Sequence, residues 1–430
     1  MKILLTGATG FIGRHLLGAL TDAGHAVVCP VRRVPDGAAG ERASFIPAQF
    51  SRMTRAQDWR ALLRGVDCVI NAAGVFDASA KEFAAVHVRA PLALFDAARQ
   101  CGARVIQISA LGADARASTA FLRTKRRADD ALRAAGAPAF IVQPSLVYGP
   151  GGTSAAWFER LALLPCLALP GGGRQRVQPV HVDDVVAGIL ALLDAPARGV
   201  ATLAFCGPAP LSLRAYLGAL RTALGGVGRP RVVGVPMALC LAAAPLASRL
   251  TGGLLSRASL LMLARGSVAD PAPFAALLGR PPRAPQRFVD PAERTARHAQ
   301  AVLGVALPVL RWCIALVWLW TAAVSFGLYP PAQSVAMLRD VGVGAALAPY
   351  ALYGAAALDL VFGILTLAWR GRGRRWLWLA QALLIVGYTV IISLRLPEQW
   401  LHPFGPISKN LPMLAGLWLL WLHDAQRRGR

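Results

Sequence analysis

The chain is expected to fold as an α/β domain with a doubly wound parallel sheet, followed by a C-terminal all-α four-helix transmembrane bundle. Three observations predict this. A glycine loop sits between a strand and a helix at residues 6–13, further strands recur at βαβ spacing, and apolar stretches of membrane-spanning length dominate beyond about residue 305. The expected division is 1–206 for the nucleotide-binding domain, 207–300 for a smaller substrate-side lobe interleaved with parts of 145–180, and 305–430 for the membrane domain.

The first strand, Ile3-Leu4-Leu5, runs into Thr6-Gly7-Ala8-Thr9-Gly10-Phe11-Ile12-Gly13, and apolar residues then recur at helical spacing through Leu20. This is the pattern of a dinucleotide site. Gly7 permits the tight turn, Gly10 lets a pyrophosphate approach the main chain, Gly13 allows close helix–strand packing, and the helix N-terminus offers free N–H groups. Because the loop follows the first strand at once, no cleavable leader is expected and the N-terminal half should remain cytoplasmic.

The 430 residues carry 46 Lys and Arg against 22 Asp and Glu, a net charge of +24, and a mean hydropathy of +0.48, too apolar for an ordinary soluble enzyme. The arginines are spread along the chain without interleaved aromatics, which argues against a nucleic-acid partner and for basic flanks facing anionic lipid. Seven cysteines, none in a CxxC pair, read as buried free thiols in a reducing compartment and argue against a zinc or iron–sulfur site.

The second strand, His25 to Val31, ends at Arg32-Arg33, where a dinucleotide fold tests the ribose 2′ position. An acidic residue there would bond a 2′-hydroxyl, whereas two guanidiniums suit a 2′-phosphate, so NADP(H) is favoured over NAD(H). Further strands are read at Ala43–Ala48, Asp67–Gly74, Arg104–Ser109 and Ala139–Pro144.

Together with the glycine loop, the segments Asn71-Ala72-Ala73-Gly74, Ser109-Ala110-Leu111-Gly112-Ala113, Pro144-Ser145-Leu146-Val147-Tyr148-Gly149-Pro150 and Val180-His181-Val182-Asp183-Asp184-Val185 resemble the extended and atypical short-chain dehydrogenase/reductase superfamily, with a Rossmann sheet, over about residues 1–290. The branch they suggest is that of the 39 kDa nucleotide-binding subunit of respiratory complex I. The resemblance implies that Gly7, Thr9, Gly10, Phe11, Ile12, Gly13, Arg32, Arg33, Asn71, Ala72, Ala73, Gly74, Lys125 and Pro144 hold the cofactor. It also implies a catalytic Tyr and Lys four residues apart on one helix face, near a catalytic hydroxyl.

Here the segment reads Phe121-Leu122-Arg123-Thr124-Lys125. Lys125 is present and Ser109 matches the hydroxyl, but Phe121 stands where the proton donor belongs. General acid–base catalysis contributes on the order of 10²–10⁴-fold, so ordinary carbonyl reduction by that route should be impaired. Tyr148 and Tyr216 precede the membrane region, and neither is an obvious substitute. His181-Val182-Asp183-Asp184 is read as a helix start with Asp183 or Asp184 as the N-cap, not as a metal site. Pro236–Ala247 is too short to span a bilayer and is read as a core helix, with an interfacial helix as the alternative.

Arg311–Tyr329, Leu347–Trp369, Trp376–Leu394 and the short Ile407–Leu422 are the four expected spans, against roughly 20 residues needed for each. Arg370, Arg372, Arg374, Arg375, Arg427, Arg428 and Arg430 mark the cytoplasmic side, and Trp312, Trp318, Trp320, Trp369, Trp376, Trp378, Trp400, Trp418 and Trp421 read as interfacial anchors. Tyr353–Leu360 and His402–Pro412 resemble the DoxX-like family, some relatives of which are subunits of quinone-reducing enzymes. Asp359 lies mid-span, with Lys409 or Arg395 as its expected partner. His402 is read as a capping or packing residue.

The expected protein is thus a multi-pass protein of a bacterial-type inner membrane with both termini cytoplasmic. The leading function is an NAD(P)H-dependent oxidoreductase acting on a lipophilic acceptor or quinone. The alternatives are a catalytically silent NADPH sensor or assembly subunit of a membrane complex, and an epimerase or dehydratase of a lipid-linked substrate.

Overall fold

The computed structural model describes residues 1–430 except 36, 38, 39, 197, 198, 372, 402, 404, 406 and 427–430. It divides into two units, Met1–Ala301 and Val302–Arg430.

The first unit is built on seven strands: β1 (Lys2–Thr6), β2 (Ala26–Val31), β3 (Ala43–Pro47), β4 (Cys68–Asn71), β5 (Arg104–Ile108), β6 (Ala139–Pro144) and β7 (Val200–Phe205). They form one sheet in the order β7-β6-β5-β4-β1-β2-β3, with every neighbouring pair parallel. The strand order reverses between β1 and β4, so the crevice for a ligand opens at the carboxyl ends of those two strands. Alternation along each strand decides which helices cover which face. Ile3, Leu5, Val27, Cys29 and Ile70 pack with Leu16 and Leu20 of α1 (Phe11–Asp22) and with later residues of the chain, notably Val185 and Ile189. Leu4, Val28, Val69 and Val105 face the other way, onto Leu94 and Ala97 of α2 (Ala90–Gln100) and Ala128 and Leu132 of α3 (Ala120–Ala135). A third core gathers Tyr148, Leu167 and Val177 with Leu213, Tyr216, Leu217 and Phe288.

Two local expectations change. The helix α4 (Val182–Asp194) is capped by His181, whose Nδ1 accepts from the Asp183 N–H at 3.2 Å, instead of by an aspartate. Asp184 is fully buried and accepts from Arg280 Nη2 (2.6 Å) and the Arg283 N–H (2.7 Å), clasping the 280–283 segment onto α4. The apolar helix Met237–Thr251 is not a core helix. Ala244 is its buried residue, while Leu239, Leu246 and Leu250 are exposed.

Among the described residues, Arg294–Leu328 (which begins in the first unit), Ala348–Ala368 and Arg374–Arg395 are the helices long and apolar enough to cross a membrane. The fourth expected span is a helix of 17 residues, Asn410–Gln426, below that length, and an additional helix, Pro331–Asp340, precedes Ala348. Trp318 and Trp378 are not interfacial anchors. Both are buried: Trp318 donates to Gln381 Oε1 (2.8 Å), and Trp378 donates to Asp424 Oδ2 (2.8 Å), whose carboxylate also takes Arg374 on both oxygens. Polar side chains therefore tie these helices internally, as apolar solvent on the outside requires. Asp359 is buried, but among the described residues it pairs with neither Lys409 nor Arg395; Lys409 is exposed. Arg372, His402, Arg427, Arg428 and Arg430 lie outside the described residues.

Candidate active site

The glycine loop leaves β1 and enters α1 at the switch point. Gly7 has a φ of +69°, and a Cβ there would lie 2.6 Å from the Ala72 carbonyl oxygen, because the chain leaving β4 passes directly over it. At Gly13 a Cβ would meet the Gly7 carbonyl oxygen at 2.0 Å, which is how closely α1 packs on the turn. Gly10 is the N-cap of α1 with no side-chain cap, so the first N–H groups of the helix remain free for an anion. These features fit a pyrophosphate on the Thr9–Gly13 backbone. Gly13→Ala should force the loop and helix apart, destabilise the fold by about 1–3 kcal/mol, and abolish nucleotide binding as read by NADPH fluorescence.

Beside the loop, buried polar side chains bridge the ends of three strands. Thr6 Oγ1 donates to Asn71 Oδ1 (2.6 Å), and Asn71 Nδ2 donates to Gln107 Oε1 (2.6 Å), between residues that are also register partners. Asn71 is 1% exposed with both ends of its amide committed. It therefore acts on a ligand through the Ala72-Ala73-Gly74 turn that it anchors, whose Ala73 N–H it also accepts at 3.4 Å. Arg32 and Arg33 are exposed just past β2 and form no ion pair among the described residues. Pro144 closes β6, and its carbonyl accepts from the Leu111 N–H.

Lys125 projects from α3 under this floor. It is 5% exposed and its Nζ donates to the carbonyl oxygens of Ile108 (2.9 Å) and Ala73 (3.3 Å), joining the ends of β4 and β5. Burial lowers its pKa from 10.5 to about 8, against an opposing pull from Asp129 one turn along the same helix face. Ser109 lies beneath, 6% exposed, with its hydroxyl donated to Asp129 Oδ2 at 2.5 Å. Burial raises the Asp129 pKa to about 6, offset by hydrogen bonds from Ser109 and Gln143. The hydroxyl expected to serve catalysis is thus turned inward, supporting the lysine's helix.

Phe121, where the resemblance leads us to expect a proton donor, sits within a ring cluster, 5.2 Å from Phe76 and 5.5 Å from His87 between ring centroids. His87 Nε2 accepts from the Val75 N–H (3.0 Å), so in the neutral ring Nδ1 carries the hydrogen, toward Thr124 Oγ1 (3.0 Å). Burial, then the Lys125 charge, lowers the pKa of His87 to about 3, so the imidazole stays neutral and pins the 72–76 loop to α3. The two tyrosines of this unit offer no replacement. Tyr148 is buried with its hydroxyl donated to Glu159 Oε1 (2.5 Å), an oxygen shared with Arg297 Nη1, and the Tyr216 hydroxyl is buried without a hydrogen-bond partner among the described residues.

Asp129 and His87 were not singled out in the sequence. Asp129 had a signal, since Leu122, Lys125, Asp129 and Leu132 share one helix face at i, i+3, i+7 and i+10. His87 had none, because the loop it holds comes from a different strand end.

A nucleotide-binding turn on a parallel sheet, joined to a bundle of apolar helices, defines a membrane-associated protein with an NAD-binding fold. Residues 3–205 match the NAD dependent epimerase/dehydratase family, and residues 315–418 match the DoxX-like family; the chain joins a domain of each. Ceramide reductase of Caulobacter vibrioides is 35% identical over 207 residues, covering 47% of this chain and 63% of that protein. The mitochondrial NADH dehydrogenase [ubiquinone] 1 alpha subcomplex subunit 9 of Arabidopsis thaliana is 33% identical over 199 residues, 44% of this chain and 48% of that protein. The matches therefore span less than two thirds of either relative. Among solved structures, a nucleoside-diphosphate-sugar epimerase from Staphylococcus aureus superposes with a TM-score of 0.55 at 20% identity, covering 67% of this chain and 99% of its own. UDP-glucuronic acid 4-epimerase from Bacillus cereus, in complex with UDP-glucuronic acid and NAD, gives 0.52 at 19%, covering 70% and 99%. At such identity these two likenesses speak for the fold alone.

Proposed function

We propose that the protein is a membrane-anchored reductase that binds NADPH and reduces a lipophilic carbonyl compound or quinone, with Lys125 both holding the cofactor and supplying the proton. When bound, NADPH supplies the hydride. The observation that carries this reading is the burial of Lys125 at the carboxyl ends of β4 and β5, with two of its N–H groups on main-chain carbonyls and a pKa near 8. An ammonium of that pKa can give up a proton near neutrality, where an exposed lysine would not. Likeness to a ceramide reductase favours a lipid as the substrate class. Purified protein in lipid nanodiscs, mixed with NADPH and a long-chain keto-lipid or quinone, should consume the reduced nicotinamide steadily. Saturable binding without consumption, for both acceptor classes, would sink the reductase reading.

Exposed Arg32 and Arg33 support NADPH over NADH. Their joint replacement by alanine should weaken NADPH binding about 10–100-fold, the worth of charge-assisted hydrogen bonds to one phosphate, while leaving NADH binding unchanged in a fluorescence titration. Arg370, Arg374 and Arg375 between the second and third spans support a cytoplasmic nucleotide domain at an inner membrane.

A second reading is favoured by Phe121: a catalytically silent NADPH sensor or assembly subunit, in keeping with the likeness to a respiratory-complex subunit. In it Lys125 only secures the nucleotide. Epimerase or dehydratase chemistry on a lipid-linked substrate needs the same proton exchange and falls under the same tests.

A further inference from the structure

We infer that the strand Arg231–Val235 and the helix Met237–Thr251 form a docking surface for an anionic lipid bilayer, distinct from the spanning helices and ending beside the candidate active site. The sequence has no Asp or Glu between Asp194 and Asp270. Inside that stretch Arg229, Arg231, Arg249 and Arg257 are exposed and form no ion pair among the described residues. Interleaved with them, Val232, Val233, Leu239, Leu246 and Leu250 are exposed, the last three at 61%, 65% and 73%. Leu239, Leu246 and Leu250 stand at i, i+7 and i+11, which puts them on one face of the helix.

An apolar face rimmed by unpaired cations fits the lipid interface, where acyl chains take the leucines and phosphates take the guanidiniums. A soluble partner would have to match a segment whose own sequence from 195 to 269 has no acid, whereas a bilayer is already tethered to this chain by the helices after residue 302. The face also leads somewhere. Gly253, two residues past the helix, lies so close to Asp77 that a Cβ there would sit 2.7 Å from Asp77 Oδ2, and Asp77 follows Phe76, the ring against Phe121. A lipid leaving the interface along this helix arrives at the aromatic cluster above Lys125.

The test uses the full chain in nanodiscs of phosphatidylcholine with or without phosphatidylglycerol, containing a phospholipid with a photoactivatable acyl chain, and maps cross-links by mass spectrometry. Cross-links on 237–251 are expected beside those on the spans, strongest with phosphatidylglycerol and reduced by salt. Leu246→Glu with Leu250→Glu should cut the 237–251 yield about tenfold or more, while labelling of the spans and NADPH fluorescence stay unchanged, showing that the chain is folded. Because both leucines are exposed, their replacement should not disturb the core. Labelling confined to the spans would overturn the inference, as would protection of 237–251 by a second copy of the chain, seen as protein–protein cross-links equal in both lipids. Nucleotide binding and turnover are read in the same discs, so failure here is distinct from failure of the reductase reading.

Discussion

Phe121→Tyr is expected to raise the NADPH-dependent reduction rate by on the order of 10²-fold, the lower end of what a positioned proton donor contributes. The phenyl ring already sits at the intended position on α3, one turn before Lys125, held by Phe76 and His87. A hydroxyl on that ring would be placed by the same contacts, and the nearby ammonium would favour its phenolate form and so lower its pKa. The gain should appear in kcat, with the Kd for NADPH unchanged, since Phe121 is not among the residues expected to hold the nucleotide. It should also change the pH profile, because the proton would then come from a different group. No gain, with nucleotide binding intact, would favour the silent sensor.

Lys125→Met should have the opposite effect, lowering kcat by at least about 10²-fold and weakening NADPH binding. For the wild type, the rate should fall as pH rises through about 8, where the ammonium that supplies the proton is lost; the methionine variant should lack that limb. Stability moves the other way. Folding lowers the lysine pKa from 10.5 to about 8, so between those values the unfolded chain binds more protons and this group makes the fold more stable as pH rises. The full change is on the order of 3 kcal/mol. Buried Cys29 and Cys68, raised to about 12, titrate with the opposite sign, so the quantity to compare is the difference in Tm between wild type and Lys125→Met from pH 7 to 10. A difference that stayed constant from pH 7 to 10 would mark Lys125 as exposed, contrary to its geometry.

Much of this was legible in the linear sequence because it is written in local patterns. The Gly7–Gly13 loop, the strand runs and the spans follow from turn chemistry and hydrophobic periodicity, which act over a few residues. Phe121 in place of a tyrosine is also a linear fact, and so is the acid-free stretch from 195 to 269. What a linear pattern does not contain is which polar group meets which. The Asn71 side chain is held between Thr6 and Gln107, because parallel pairing brings three strand ends into register, and no linear pattern names those two partners. Ser109 gave its hydroxyl to Asp129 for a similar reason, a strand end and a helix face converging from residues twenty apart.

The same limit explains the helix Met237–Thr251, where composition suggested a core position and the tertiary structure left its leucines exposed. Its apolar content measures what burial would gain, but only the arrangement of the neighbouring elements decides whether a covering surface exists. Trp318 and Trp378 moved inward by that logic too, since an indole N–H within a bundle is satisfied only by a partner on another helix. The sequence by itself determined the two domain classes and the glycine turn, both consequences of short-range steric and hydrophobic preference. Only the tertiary structure decided the depth of Lys125, the service of His87 and Asp129 around it, and which apolar face stayed free, because those depend on desolvation and contacts between residues far apart in the chain.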